Sequence, residues 1–172
     1  EPLRDHEFFR KFTLNPDFSQ IESDRAQVAV NQRFPLFFPE LRPFFLEGQE
    51  IFNIPAPVTL LHTRTIVDPR YGAKITGKVG RTTVGFLVAD DQAPGKTDSV
   101  TDPAFGQSAT NVFGRVRYDL YTESSVGVVF SDREFMDQYS RVGGFDSQFR
   151  IGRNQRLQFR AFSTSHRDED NV

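Results

Sequence analysis

The 172 residues contain no cysteine, no tryptophan and a single methionine. Without cysteine there are no disulfides, no thiolate nucleophile and no thiolate zinc site, and the redox compartment is left open. Lysine is scarce too: four Lys stand beside 17 Arg. No apolar run approaches the ~20 residues that a membrane helix needs, so any crossing of a bilayer would have to be made by strands. The chain opens at Glu1 in mid-phrase, with no charged-then-apolar leader, which reads as a fragment or a processed product. The formal net charge is -2 and no basic block occurs, so nucleic acid is not expected as a partner.

Catalytic signatures are lacking as well. His6, His62 and His166 are far apart, and neither a Gly-x-Ser-x-Gly nor a His-Glu-x-x-His pattern is present. GKVGRTT at residues 77–83 has a superficial likeness to a phosphate loop, but its spacing is wrong and it falls in a hairpin. Asp17 with Glu22 and Asp24, or Glu47 with Glu50, read as solvated or salt-bridged acids rather than acid-base pairs or calcium ligands. No catalytic residue, metal or cofactor is expected, and the chain is not read as an enzyme.

What is present is phenylalanine, 19 of them. Residues 33–52 read RFPLFFPELRPFFLEGQEIF, with Phe34, Phe37, Phe38, Phe44, Phe45 and Phe52 set among Pro35, Pro39 and Pro43 and the charges Glu40, Arg42, Glu47 and Glu50. Three prolines forbid a regular helix or a central strand. Rings that each hide roughly 150–250 Å² need burial, yet the charges need polar company. A polar-lined interior with apolar pockets would satisfy both.

Residues 8–14 read as one strand, ended by the turn signal Asn15-Pro16-Asp17. Residues 18–31 read as irregular, with a short strand at 27–31, and Pro55 and Pro57 close the Phe-rich stretch with extended backbone. From residue 58 onward the chain alternates. Residues 58–67 are β-branched and read as a strand, and 72–79 and 82–89 form a hairpin about Gly80-Arg81. Residues 90–109 are a long polar loop. Residues 110–121 and 125–131 form a second hairpin with a turn at 122–124, and 132–138 read as a longer polar connection. A last hairpin covers residues 139–152 and 155–165, and the charged residues 166–172 read as loop or frayed end. The chain thus divides into a lead-in at 1–32, an internal Phe/Pro-rich segment at 33–57, hairpins at 58–165 and that tail, all parts of one domain.

Strands of about ten residues, one apolar face and one charged face, and connections that alternate short with long are the signature of an all-β, antiparallel transmembrane barrel of the outer-membrane kind, seen here as a fragment of a larger barrel. A soluble sandwich or barrel shows the same period of two with its apolar face turned inward. In the membrane reading Arg115, Arg117, Asp119, Asp146, Arg150, Arg156 and Arg160 face the lumen. The Phe-rich segment becomes a plug, with Phe37, Phe38, Glu40, Arg42, Phe44, Phe45 and Glu47 as its candidates, its rings packing on glycines and its charges bonding to lumen charges.

TLNPDFSQIESDRAQVAVNQRFPLFFPELRPFFLEGQEIF (residues 13–52), followed by GAKITGKVGRTTVGFL (72–87), resembles the bacterial outer-membrane β-barrel family known as domain of unknown function 5916. Members often carry an amino-terminal domain similar to carbohydrate-binding module family nine, absent from these residues, and usually have Lys where this chain has Leu41. The resemblance implies an outer-membrane location and a barrel, and no particular reaction. The functional expectation is a channel, receptor or assembly component handling a polar ligand, for which the sandwich of relatives suggests a glycan, in contact with membrane lipid or lipopolysaccharide and with envelope proteins. The alternatives are a soluble or surface-exposed β-domain that binds carbohydrate through exposed aromatics and, more weakly supported, a membrane-embedded hydrolase.

Overall fold

The computed structural model describes residues 6–14, 41–52, 54, 63–97 and 99–167. Seven antiparallel strands follow one another in a single meandering sheet: β1 (His6–Leu14), β2 (Pro69–Val79), β3 (Thr82–Asp91), β4 (Ala109–Tyr121), β5 (Ser124–Phe135), β6 (Gln138–Ile151) and β7 (Gln155–Arg167). Every strand pairs with its neighbour in sequence, and among the described residues β1 and β7 are the two edges, so the sheet is not closed. Two single-turn helices, α1 (Pro43–Leu46) and α2 (Gln49–Phe52), lie in the long excursion between β1 and β2. Pro43 sits at the first helical position of α1, where a missing N–H costs nothing.

The register sorts the residues onto two faces. Arg115 pairs with Gly85 on one side and Val129 on the other, while its sequence neighbour Val116 pairs with Val84 and Val128. Odd-numbered positions of β4 therefore share one face with Lys74, Leu87, Val129, Asp146 and Arg160, and even-numbered positions share the opposite face with Ile75, Phe86, Phe130, Phe145 and Phe159. The helical insert lies on the first face, which is called the inner face below. Its Phe44, Phe45 and Phe52, with Ile54 and Ile66, bury against Leu87, Ala89, Phe113 and Val129. Phe52 meets Phe113 edge-on with centroids 5.3 Å apart, and Phe44 meets Phe45 in the same way at 5.0 Å. Each ring removed from water contributes roughly 1.5–3 kcal/mol.

Two sequence expectations change. Residues 63–67 are not strand: Thr63–Thr65 form a 3₁₀ turn, and β2 begins at Pro69. Residues 132–138 are not a long loop, because β5 continues to Phe135 and turns through Met136 and Asp137 alone into β6. The strand passes there beyond its apolar stretch while the ladder continues, with Asp132 opposite Arg141 and Glu134 opposite Tyr139. The strict alternation of short and long connections is thereby lost. The loop between β3 and β4 is long as expected, and β7 runs on to Arg167 rather than fraying at 166. The short strand expected at 27–31 and part of the segment at 33–57, including Phe37, Phe38 and Glu40, lie outside the described residues.

Candidate functional site

The inner face has two halves. Toward the long loop it is covered by the insert, and toward the short turns it opens into a polar basin of about 500 Å³ lined by Arg115, Arg117, Asp119, Glu123, Asp146, Gln148, Gln158 and Arg160. Ile54 lines the same space and marks where insert and basin meet.

Two glycines seat the insert. A Cβ on Gly85 would stand 2.6 Å from the Phe52 ring, and one on Gly72 would stand 3.1 Å from Phe44. The rings thus rest on bare backbone, as the sequence reading anticipated. Cations then pin the main chain. Lys74, 2% exposed, donates from Nζ to the carbonyls of Phe44 and Glu47 and lies 5.3 Å from the Phe44 ring centroid. Arg42 donates to the carbonyls of Ile66 and, at 2.8 Å, Thr63, with its guanidinium 4.3 Å above the Phe45 ring. These carbonyl partners are not legible in the letters, because they depend on where the chain returns after 21 or more residues.

In the basin, Arg115 Nη2 donates to both oxygens of Asp146, at 3.0 and 2.9 Å, and both side chains are buried. The pair crosses β5 above Gly127, where a Cβ would come within 2.9 Å of the Asp146 carboxylate. A buried pair of this kind keeps its partners together chiefly because either ion alone would be stranded in a poor solvent. Asp119 accepts from Lys78 at 2.9 Å and from Arg117 at 3.0 Å. Glu123, in the β4–β5 turn with a left-handed φ of +56°, accepts from Arg150 and, at 2.9 Å, from Arg156. That conformation costs a non-glycine residue energy, and here it aims one carboxylate at two guanidinium groups.

Beside these ion pairs runs a line of amides. Arg160 Nη2 donates to Gln158 Oε1 at 2.8 Å, Gln158 Nε2 to Gln148 Oε1 at 2.9 Å, and Gln148 Nε2 to the Glu123 carbonyl at 3.2 Å. Spacing alone had placed Arg115, Arg117, Asp119, Asp146, Arg150, Arg156 and Arg160 on one face, and the structure groups them there. It had not singled out Gln148, Gln158 or Glu123. The two glutamines carry the same even-numbered parity as Asp146 and Arg160, a usable signal. Glu123 looked like turn filler.

Among the described residues no group of three or more His, Cys, Asp or Glu could hold a metal ion, and no helix is long and apolar enough to cross a membrane. No curated protein and no solved structure matches the chain. Residues 7–74, which span β1, the insert and the first half of β2, match the family described as domain of unknown function (DUF5916), the same family that the letters of the insert resemble.

Proposed function

We propose that these strands are wall segments of an outer-membrane β-barrel, with the outer face against lipid, the inner face against the lumen, and the Phe-rich insert as an internal plug above a basin that handles a polar ligand. One observation carries this reading: large apolar side chains are exposed on one face of the sheet while charges are buried on the other. Val116 is 41%, Phe145 37% and Phe159 58% exposed, whereas Arg115 is 3% exposed. A soluble sheet has every reason to do the reverse, since a continuous exposed apolar face marks contact with a membrane or a partner.

The tyrosines support the same reading. Tyr71 and Tyr139 lie at the strand ends beside the long loop, and Tyr118 and Tyr121 lie at the opposite ends. Rings with a polar tip favour the two membrane interfaces. Between them, residues 112–120 of β4 extend roughly 27 Å along the strand, or about 20 Å along the axis of a barrel with the usual tilt. Past Phe130 the outer face of β5 and β6 turns ionic, with Arg141 bonded to Asp132 and Glu134 and stacked 4.5 Å from the Tyr139 centroid. Charges of this sort suit the headgroup region, where membrane lipid or lipopolysaccharide would be met.

In this proposal the protein is a channel, receptor or assembly component; a glycan ligand and envelope-protein partners follow only from its family resemblance. The exposed rings also favour a second reading, a soluble β-domain that stacks sugars on Phe86, Phe130, Phe145 and Phe159. Purification separates the two. The barrel reading expects aggregation in plain buffer, a monodisperse species in detergent, and flotation with lipid vesicles. A monodisperse protein in plain buffer that does not float contradicts it.

A further inference from the structure

We infer that the basin beneath the insert recognises an oxyanion, a carboxylate or sulfate group borne by a polar ligand, through Arg160 and the amide line of Gln148 and Gln158. This deepens the barrel reading and rests on it, because the site is taken to be the ligand-handling part of the lumen.

The charge count points that way. Asp119 is shared by Lys78 and Arg117, Glu123 is shared by Arg150 and Arg156, and Asp146 is held by Arg115, so five cations already saturate the three carboxylates of this region. Arg160 is a sixth. Its register partner is Asp146, but that carboxylate is turned toward Arg115, and the hydrogen bond Arg160 makes goes to a neutral amide oxygen. A half-buried guanidinium with no carboxylate among the described residues, in a concave polar space, attracts anions.

The direction of the amide line sharpens the chemistry. Arginine can only donate, and a backbone carbonyl can only accept, so both ends of the line are fixed. Gln158 must present its oxygen to Arg160, Gln148 must present its oxygen to Gln158, and Gln148 must donate to Glu123. Each amide oxygen thereby spends one of its two lone pairs within the protein. The second amide hydrogens of Gln148 and Gln158 and the other donors of Arg160 are left to face a ligand. A wall that offers donors and positive charge fits an acceptor-only group, and a planar guanidinium fits a carboxylate or sulfate in the two-pronged manner. A neutral sugar carries no charge for the Arg160 guanidinium and is the weaker match.

The test is calorimetric titration of the purified protein in detergent with citrate, inorganic sulfate, trigalacturonate and the neutral control maltotriose, with flotation measured on the same preparations. Saturable binding of at least one anion is expected, with no binding of maltotriose. Arg160→Gln is expected to weaken the anion tenfold or more, Arg160→Lys less, and Arg141→Gln, on the outer face, not at all. The citrate and sulfate arms distinguish a small anion from an anionic glycan read by trigalacturonate. Absence of saturable anion binding, equal binding of maltotriose, or an equal loss in Arg141→Gln overturns the inference. Flotation without anion binding rejects the oxyanion site and leaves the barrel standing, while anion binding by a protein that does not float rejects the barrel and leaves the basin's chemistry.

Discussion

Arg115 and Val116 are adjacent in the chain and opposite in surroundings. The first is buried against Asp146 on the face that carries the insert, and the second is 41% exposed on the opposite face. The same contrast recurs at Phe145 and Asp146 on β6 and, with a half-buried guanidinium, at Phe159 and Arg160 on β7. A water-soluble sheet minimises its free energy by putting the valine row inside. Here the rows are exchanged on β4, β6 and β7, which is the contrast from which the proposal of lipid outside and a polar lumen within is argued.

Breaking the inner side of this contrast has the largest expected effect. Asp146→Ala removes the carboxylate that holds the buried Arg115, and a loss of about 3–5 kcal/mol is expected. Denaturant titration in detergent reads it, and a double change to Asp146→Leu with Arg115→Met should recover most of the loss. Breaking the outer side comes next. Val128→Arg places a cation at the middle of the exposed apolar row and should cost about 2–4 kcal/mol in lipid, read as a loss of folded, heat-modifiable protein in vesicles. In a soluble sheet the same change at a half-exposed valine would be close to neutral, so this variant discriminates between the two readings as well as breaking one.

A third change probes the insert alone. Gly85→Val drives a side chain into the space of the Phe52 and Ile51 side chains, and overpacking of this kind costs about 1–3 kcal/mol. Limited proteolysis should show earlier cleavage within residues 41–54 while the hairpins of β4 to β7 stay protected. The smallest effect belongs to Arg156→Gln, an exposed member of the Glu123 pair, expected to change stability by no more than about 0.5 kcal/mol.

The period of two made the faces of β2 to β7 readable from letters alone, because the inward charges Arg115, Arg117, Asp119, Asp146, Arg150 and Arg160 each have an outward valine, phenylalanine or tyrosine beside them. That signal failed where the physics producing it stops. In residues 132–135 charges occupy both faces, Asp132 and Glu134 outward and Arg133 inward, so no alternation of polarity remains although the ladder runs on. Residues 63–67 misled in the other way. Their β-branched composition suggests a strand, but the segment is shaped by a distant partner, since the carbonyls of Thr63 and Ile66 receive Arg42. The basin was half legible: its arginines followed from parity, while its amide line and the double role of Glu123 depend on hydrogen-bond directions that only coordinates supply.

The orientation of the two faces can be measured most directly by single-cysteine spin labels, for which a chain without cysteine is a clean background. Labels at residues 126–131 of β5, in protein reconstituted into vesicles, would be tested for collision with oxygen, which dissolves in lipid, and with a water-soluble nickel chelate. Oxygen accessibility is expected to peak at 126, 128 and 130 and fall at 127, 129 and 131. Peaks of the nickel chelate at 126, 128 and 130 would contradict an outer face turned toward lipid.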